Sequence, residues 1–300
     1  MRTIRFGVIG GGLMGREFAS ATARWLHLDF KDARPEIIGI CDVNPAARTW
    51  FTDHLPSCRI STGDYNDLLA SDEIDAIYCA VPHDLHQDVY CDIIRAGKHL
   101  LGEKPFGIDV AANRAILECS ADAPDVFVRC SSEFPFFPGA LEVSRAIAEN
   151  RFGQIISVNA GFHHSSDLDP NKTLNWKRIE AVNGKYGCMG DLGLHVMHIP
   201  LRFGWAPEAV VAQLSNIVRE RPSAQGCIEA CETWDNASVH GMVAHGEDRF
   251  PITFETKRIA PGETNTWFIR IEGTTQSIAF STKQPKTLWT MQYRPGDAQE

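Results

Sequence analysis

The chain has 300 residues, 44% of them apolar and 22% charged, with a formal net charge of -9. That is the balance of a globular protein with room for two domains of ~100–200 residues each. The acidic balance excludes nucleic acid as a main partner, because phosphate backbones need clustered Lys and Arg, and no run of ~18 apolar residues is present to cross a membrane.

Residues 1–5 lead straight into an apolar run and leave no room for a signal peptide, which predicts a cytoplasmic location. Nine Cys, an odd number, then read as free thiols. The first predicted strand, over 4–9, runs into Gly10-Gly11-Gly12-Leu13-Met14-Gly15, and a helix starts at Leu13. Gly10, Gly12 and Gly15 fill the places of a G-x-G-x-x-G dinucleotide fingerprint. Gly10 permits the tight turn. Gly12 lets a pyrophosphate reach the backbone at the helix N-terminus. Gly15 allows helix and strand to pack closely, and Leu13 and Met14 join the cofactor contacts.

A second strand, over 37–41, ends at Asp42. A carboxylate there accepts both ribose hydroxyls of NAD and repels a 2′-phosphate. With Val43 and Asn44 following and no Arg, NAD is favoured over NADP. The interval from Gly15 to Asp42 exceeds the usual ~20 residues, and a loop or helix extension over 26–35 accounts for it.

Helices are predicted from Pro45 and over 64–69. A strand over 76–81 stops at Pro82. Val81, Pro82 and His86 sit at a strand end, where open α/β sheets bind ligands, and are expected to line the nicotinamide-ribose side. A helix over 85–96 follows, capped by Gly97. The strand over 99–102 stops at Glu103-Lys104-Pro105. Glu103 and Lys104 are expected at the cofactor, and the peptide bond before Pro105 is a candidate cis bond. A partly desolvated lysine there has a lowered pKa and can relay a substrate proton. A helix over 109–121, with Asp109 as N-cap, and a strand over 126–130 complete a doubly wound parallel sheet.

Beyond this point the pattern changes. A helix over 139–149 is followed by strands over 155–162, 209–218, 237–244, 251–256, 267–272 and 277–281. Several lack an intervening helix, which predicts a large, mostly antiparallel open sheet in an α+β domain. The domains are expected at 1–128 and 129–300. Two polar stretches, 165–183 and 219–232, read as irregular loops. In the first, Asp167, Asn175, Trp176, Lys177 and Arg178 suit sugar recognition by stacking and hydrogen bonding, though a solvated loop has the same composition. Cys227, Cys231, His240 and His245 fit no standard zinc spacing, and adjacent His163 and His164 on a strand point to opposite faces, so no metal is expected.

Asp191, His195 and His198 are spaced i, i+4 and i+7. On a helix they share one face, which sets a carboxylate one turn from an imidazole, as acid–base chemistry requires. Asp191 as a helix N-cap with a core His195 is the competing reading.

The glycine fingerprint, the strand-end Pro82 with His86, Glu103-Lys104-Pro105 and the G-x-x-x-D-x-x-x-H segment from Gly187 to His195 occur in this order across the whole chain. Together they resemble the Gfo/Idh/MocA oxidoreductases. The resemblance implies an N-terminal Rossmann domain, a C-terminal α/β domain with a large open sheet, and action on a sugar, cyclitol or other polyol. It implies Lys104, Asp191 and His195 as the catalytic group, with the base either His195 or Lys104. Lys104, Trp176, Arg178, Asp191, His195 and His198 are expected to contact substrate. His198 stands where many members have Asp. The chain ends in a polar tail, at a point where family members usually continue. An NAD-retaining glycoside-cleaving enzyme and a non-catalytic NAD or sugar sensor are the alternatives. An apolar outer sheet face predicts a homodimer or homotetramer.

Overall fold

Ile37, Ile38, Ile40 and Cys41 are all buried, because the strand that carries them is covered on both faces. Such near-continuous apolar runs mark parallel strands between helical layers. The computed structural model describes residues 1–29 and 32–296. Two compact units, Met1–Ser131 and Ser132–Glu300, make up the chain.

The first unit begins β1 (Arg2–Ile9), α1 (Leu13–Ala23), β2 (Ala33–Cys41) and α2 (Pro45–His54). It continues β3 (Ile60–Thr62), α3 (Asn66–Leu69), β4 (Ala76–Cys79), α4 (His86–Arg95), β5 (His99–Glu103), α5 (Val110–Ala121) and β6 (Val128–Ser131). The sheet order is β3-β2-β1-β4-β5-β6, and every pairing is parallel. This is the doubly wound arrangement, whose ligand crevice lies at the C-terminal ends of β1 and β4. The β2 strand begins at Ala33, earlier than the sequence pattern suggests, and a single 3-10 turn (Trp25–His27) precedes it. Residues 30 and 31 of the expected 26–35 loop lie outside the described residues.

Local signals set the helix ends. Asn44 caps α2 by accepting from the Ala46 N–H, with Pro45 at the first helical position. Asp109 caps α5 by accepting from the Ala112 N–H. Gly97 takes φ +72° just past α4. Along α4, Val89, Tyr90, Ile93 and Ile94 are buried at helical spacing against the sheet.

The second unit runs α6 (Pro138–Ala148), β7 (Ile155–His163), α7 (Glu180–Asn183), α8 (Gly187–Arg202) and β8 (Pro207–Ser215). Then come β9 (Glu220–Pro222), β10 (Ile228–Ala230), β11 (Asn236–His245), β12 (Asp248–Lys257), β13 (Thr266–Gly273), β14 (Gln276–Ser281) and β15 (Leu288–Gln292). Its seven-stranded sheet has the order β15-β14-β13-β7-β12-β11-β8. Among the described residues of this sheet, only β12 and β7 pair in parallel. Alternation is clear on β12, where Phe250, Ile252, Phe254 and Thr256 are buried, and on β13, where Trp267, Ile269 and Ile271 are. These side chains face the core with Val196 and Ile199 of α8 and Val143 of α6.

The 219–232 stretch is not wholly irregular. β9 and β10 form a short hairpin, turned at Gly226 with φ +84°. The strand β15 is a further addition, an edge strand exposed at four of its five residues. Residues 297–300 of the polar tail lie outside the described residues. Among the described residues no helix is long and apolar enough to cross a membrane.

Candidate active site

In the first unit, the fingerprint turn follows β1. Gly10 has φ +96°, and a Cβ there would lie 2.4 Å from the Ala80 carbonyl oxygen. A Cβ on Gly15 would lie 2.2 Å from the Gly10 carbonyl oxygen. Both positions therefore require glycine. Gly12 is different, since a Cβ there would meet nothing within 4 Å. It is the N-cap of α1 and brings no side-chain cap. The helix thus presents an uncapped, positively polarised start beside an open backbone, as a bound pyrophosphate needs. Leu13 is 75% exposed in that first turn, with Met14 beside it.

Asp42 stands across from this turn. Its Oδ2 accepts the Gly11 N–H at 2.7 Å and its Oδ1 accepts the Asn44 N–H at 2.7 Å. Each carboxylate oxygen retains a lone pair for a ribose hydroxyl. The residues fit NAD on these grounds. One cation escapes a reading of the neighbouring sequence, because α2 brings Arg48 back to donate to the Asp42 carbonyl oxygen at 2.6 Å.

The turns after β4 and β5 are tied together. His86 Nε2 lies 3.0 Å from the Val81 carbonyl oxygen, and Nδ1 lies 2.6 Å from that of Pro105. Its ring is fully buried and stacks on Tyr90. His86 therefore braces the loops instead of lining the crevice, which corrects the expected cofactor contact. Burial pushes its pKa down, against the two carbonyl contacts, which raise it. Glu103 is buried as well. It accepts from the Tyr78 hydroxyl at 2.7 Å and from the Lys104 N–H at 3.3 Å, and so supports the loop from inside. The Lys104–Pro105 bond is cis. Lys104, Val81 and Pro82 are half-buried at these strand ends.

In the second unit, α8 carries Asp191, His195 and His198. Asp191 is not its N-cap, because the helix starts at Gly187. There φ is +54°, and a Cβ would lie 2.6 Å from the Trp234 nitrogen. The next N–H, of Cys188, donates to the Trp234 carbonyl at 3.0 Å and anchors the start. Asp191 therefore falls one turn inside the helix, facing the sheet and fully buried. It pairs with Arg258, which follows β12, and with Lys177 at 3.4 Å. A buried carboxylate without such partners would favour its neutral form. Burial pushes the Arg258 pKa down, opposed first by Asp167.

His195 is 5% exposed. Its ring meets Phe134 at 4.8 Å and Phe162 at 5.3 Å between centroids, both edge-on. The Trp267 Nε1–H donates to the His195 carbonyl oxygen at 2.7 Å and fixes the backbone behind the ring. His198 is half-buried, with Nδ1 3.4 Å from Ser132 Oγ, and burial pushes its pKa down, helped by Arg202.

The 165–183 loop divides into solvent-facing and buried groups. Trp176 is half-buried, with the Lys177 ammonium 5.5 Å from its ring centroid. Arg178 is wholly buried. Its guanidinium donates to Asn216 Oδ1 at 2.6 Å and to the Val218 carbonyl at 2.9 Å, and pairs with Asp235 at 3.3 Å. Such a place makes it an internal anchor, which corrects the expected substrate contact. Arg221, also buried, donates to the carbonyl oxygens of Asp167, Asp169 and Lys172 and fixes the start of the loop. Among the described residues no three His, Cys, Asp or Glu side chains gather as a metal ion would need.

Comparison with known proteins decides the family. Residues 4–129 match the model of the "Oxidoreductase family, NAD-binding Rossmann fold", and residues 140–279 match the "GFO/IDH/MocA C-terminal domain". The chain belongs to the Gfo/Idh/MocA oxidoreductases. It is similar to levoglucosan dehydrogenase of Pseudarthrobacter phenanthrenivorans, 26% identical over 297 residues that cover 94% of this chain and 74% of that protein. It is also similar to inositol 2-dehydrogenase of Rhizobium meliloti, 24% identical over 289 residues, 95% of this chain and 78% of the relative. A solved levoglucosan dehydrogenase in complex with NADH and L-sorbose superposes with a TM-score of 0.88 at 25% identity, covering 97% of this chain and 76% of the other. This Gfo/Idh/MocA member is an NAD(P)-dependent oxidoreductase with an NAD-binding Rossmann domain.

Proposed function

We propose that this oxidoreductase acts on a secondary hydroxyl of a sugar, cyclitol or related polyol, with NAD as its cofactor. The observation that carries the reading is the pair on α8. Asp191 is buried between two cations, and His195, one turn on, is held between Phe134 and Phe162. When bound, the nicotinamide supplies the hydride acceptor or donor. The protein's own groups manage the proton and the orientation. His195 takes the hydroxyl proton, being the natural base near neutral pH. Asp191 orients the hydroxyl or the imidazole, and Lys104 assists as a second proton-handling group. Trp176 and His198 contact the substrate. The names of the similar proteins, a levoglucosan and an inositol dehydrogenase, support a polyhydroxylated ring as the substrate class.

We also propose that the protein is a homodimer or homotetramer. Met242 on β11 and Trp289 on β15 alternate with the inward-facing residues and stand 38% and 66% exposed. Apolar groups on the open side of a sheet suit a second copy. Light scattering showing a monomer at micromolar concentration would count against this.

The test of function is reduced-nicotinamide absorbance with purified protein, NAD and a panel of aldoses, anhydrosugars, cyclitols and sugar acids. Signal with one compound, lost in His195→Ala and in Lys104→Ala, supports the reading. A flat trace from protein that releases NAD on denaturation would replace it with cofactor-retaining glycoside cleavage.

A further inference from the structure

Arg258 is a buried cation in the bend that directly follows β12, far in sequence from the α8 motif, yet it reaches the Asp191 carboxylate. Its backbone is fixed on both sides. The Arg258 N–H donates to the Asp235 carbonyl at 2.8 Å, and its carbonyl accepts from the Asp167 N–H at 2.9 Å. With the backbone held and the side chain only 4% exposed, the guanidinium is kept in the interior beside Asp191. A guanidinium also cannot lose its proton in the working pH range, whereas an ammonium can. Of the two cations described on Asp191, Lys177 has a side chain 34% exposed and Arg258 only 4%. Solvent screens the first far more than the second.

We propose that Arg258 is a positioning residue, whose guanidinium keeps the Asp191 carboxylate ionised and fixed in direction so that it can serve His195 and a substrate hydroxyl. The inference rests on the reading of Asp191 and His195 as the proton-transfer pair. The surrounding ionisable groups fit this assignment. Lys177 pairs with Asp191 and His195 lies one turn further along α8, whereas Asp167, Arg178 and Cys188 act electrostatically on Arg258. Arg178 is already committed to Asp235, so it does not substitute.

The experiment is a carbon-13 NMR titration of protein labelled at aspartate Cγ, with the Asp191 signal assigned by its loss in Asp191→Asn. In the wild type the Asp191 signal stays at the ionised position through the pH range where ordinary carboxylates are ionised. In Arg258→Gln its midpoint moves up by about two pH units, and Arg258→Lys recovers most of the shift. An unchanged midpoint in Arg258→Gln overturns the proposal. Should Arg258→Gln fail to fold, the wild-type titration still decides: an Asp191 that protonates above the usual carboxylate range overturns it as well. Turnover of Asp191→Asn separates the two claims. Full turnover with a shifted Arg258→Gln titration removes the catalytic reading and leaves the charge relationship intact.

Discussion

The Gly11 N–H donates to the Asp42 carboxylate at 2.7 Å, so the glycine turn after β1 and the acidic end of β2 form one hydrogen-bonded unit. If Asp42 selects the cofactor's ribose and the turn receives its pyrophosphate, as proposed, the two are coupled through this bond. A change at Asp42 also loosens the turn.

Replacing Asp42 by Ser removes the charge that repels a 2′-phosphate and leaves Arg48 beside the same backbone. The ratio of NAD to NADP efficiency should fall by about tenfold or more, equivalent to ~1.4 kcal/mol. Steady-state kinetics with both cofactors measure this. An unchanged ratio would remove Asp42 from ribose selection.

Gly10 and Gly12 should behave oppositely. Gly10→Ala forces a Cβ against the Ala80 carbonyl at positive φ, and should destabilise the fold by about 2–4 kcal/mol. Gly12→Ala meets no neighbour, so its stability should stay within about 0.5 kcal/mol while NAD binding weakens. Urea unfolding paired with NAD titration calorimetry separates the two. Equal stability losses would contradict the assignment of open space at Gly12.

Burial holds the folded-state pKa values of His86 and His198 below the usual 6.5. The unfolded chain then binds more protons than the folded one below that value. Stability should be full above about pH 6.5 and fall as the pH drops through it. His86→Gln should flatten part of the slope and cost about 1–3 kcal/mol, since the ring no longer braces both loops. Urea midpoints at several pH values test this, and a slope of opposite sign would refute it.

Burial pushes the thiol of Cys41 up to about 11 and that of Cys130 up to about 12, whereas Cys227 is exposed. A disulfide reagent at mildly alkaline pH should modify Cys227 fast and buried thiols such as Cys41 only after unfolding. Cys227→Ser should abolish the fast phase. Its persistence would place the reactive thiol elsewhere.

The first unit was readable because its signals are local. An apolar strand, three spaced glycines and a strand-end Asp lie within one stretch of chain, and each acts on its immediate neighbours. The i, i+4 relation of Asp191 and His195 was equally local. Arg258 and Lys177 were not legible as partners of Asp191. Only the packing of α8 against β12 and the return of the 165–183 loop bring them there, and nothing in the sequence around Arg258 ties it to α8. Arg178 and His86 were misplaced for a related reason. Polar character near a site suggests ligand contact, yet both are spent on backbone carbonyls and buried partners. The β9–β10 hairpin has three-residue strands, too short for an alternation to register. Its only cue was Gly226.

The 165–183 loop is pinned near its start by Arg221, whose anchors are all main-chain oxygens, and further on by Arg178, which also holds the Val218 carbonyl. Main-chain atoms persist through any substitution. Side chains between the pins can be exchanged while the path of the loop stays the same. A descendant of this protein, or a library built on it, therefore has a stretch of loop that can vary on an inherited frame, Lys177 excepted because it pairs with Asp191.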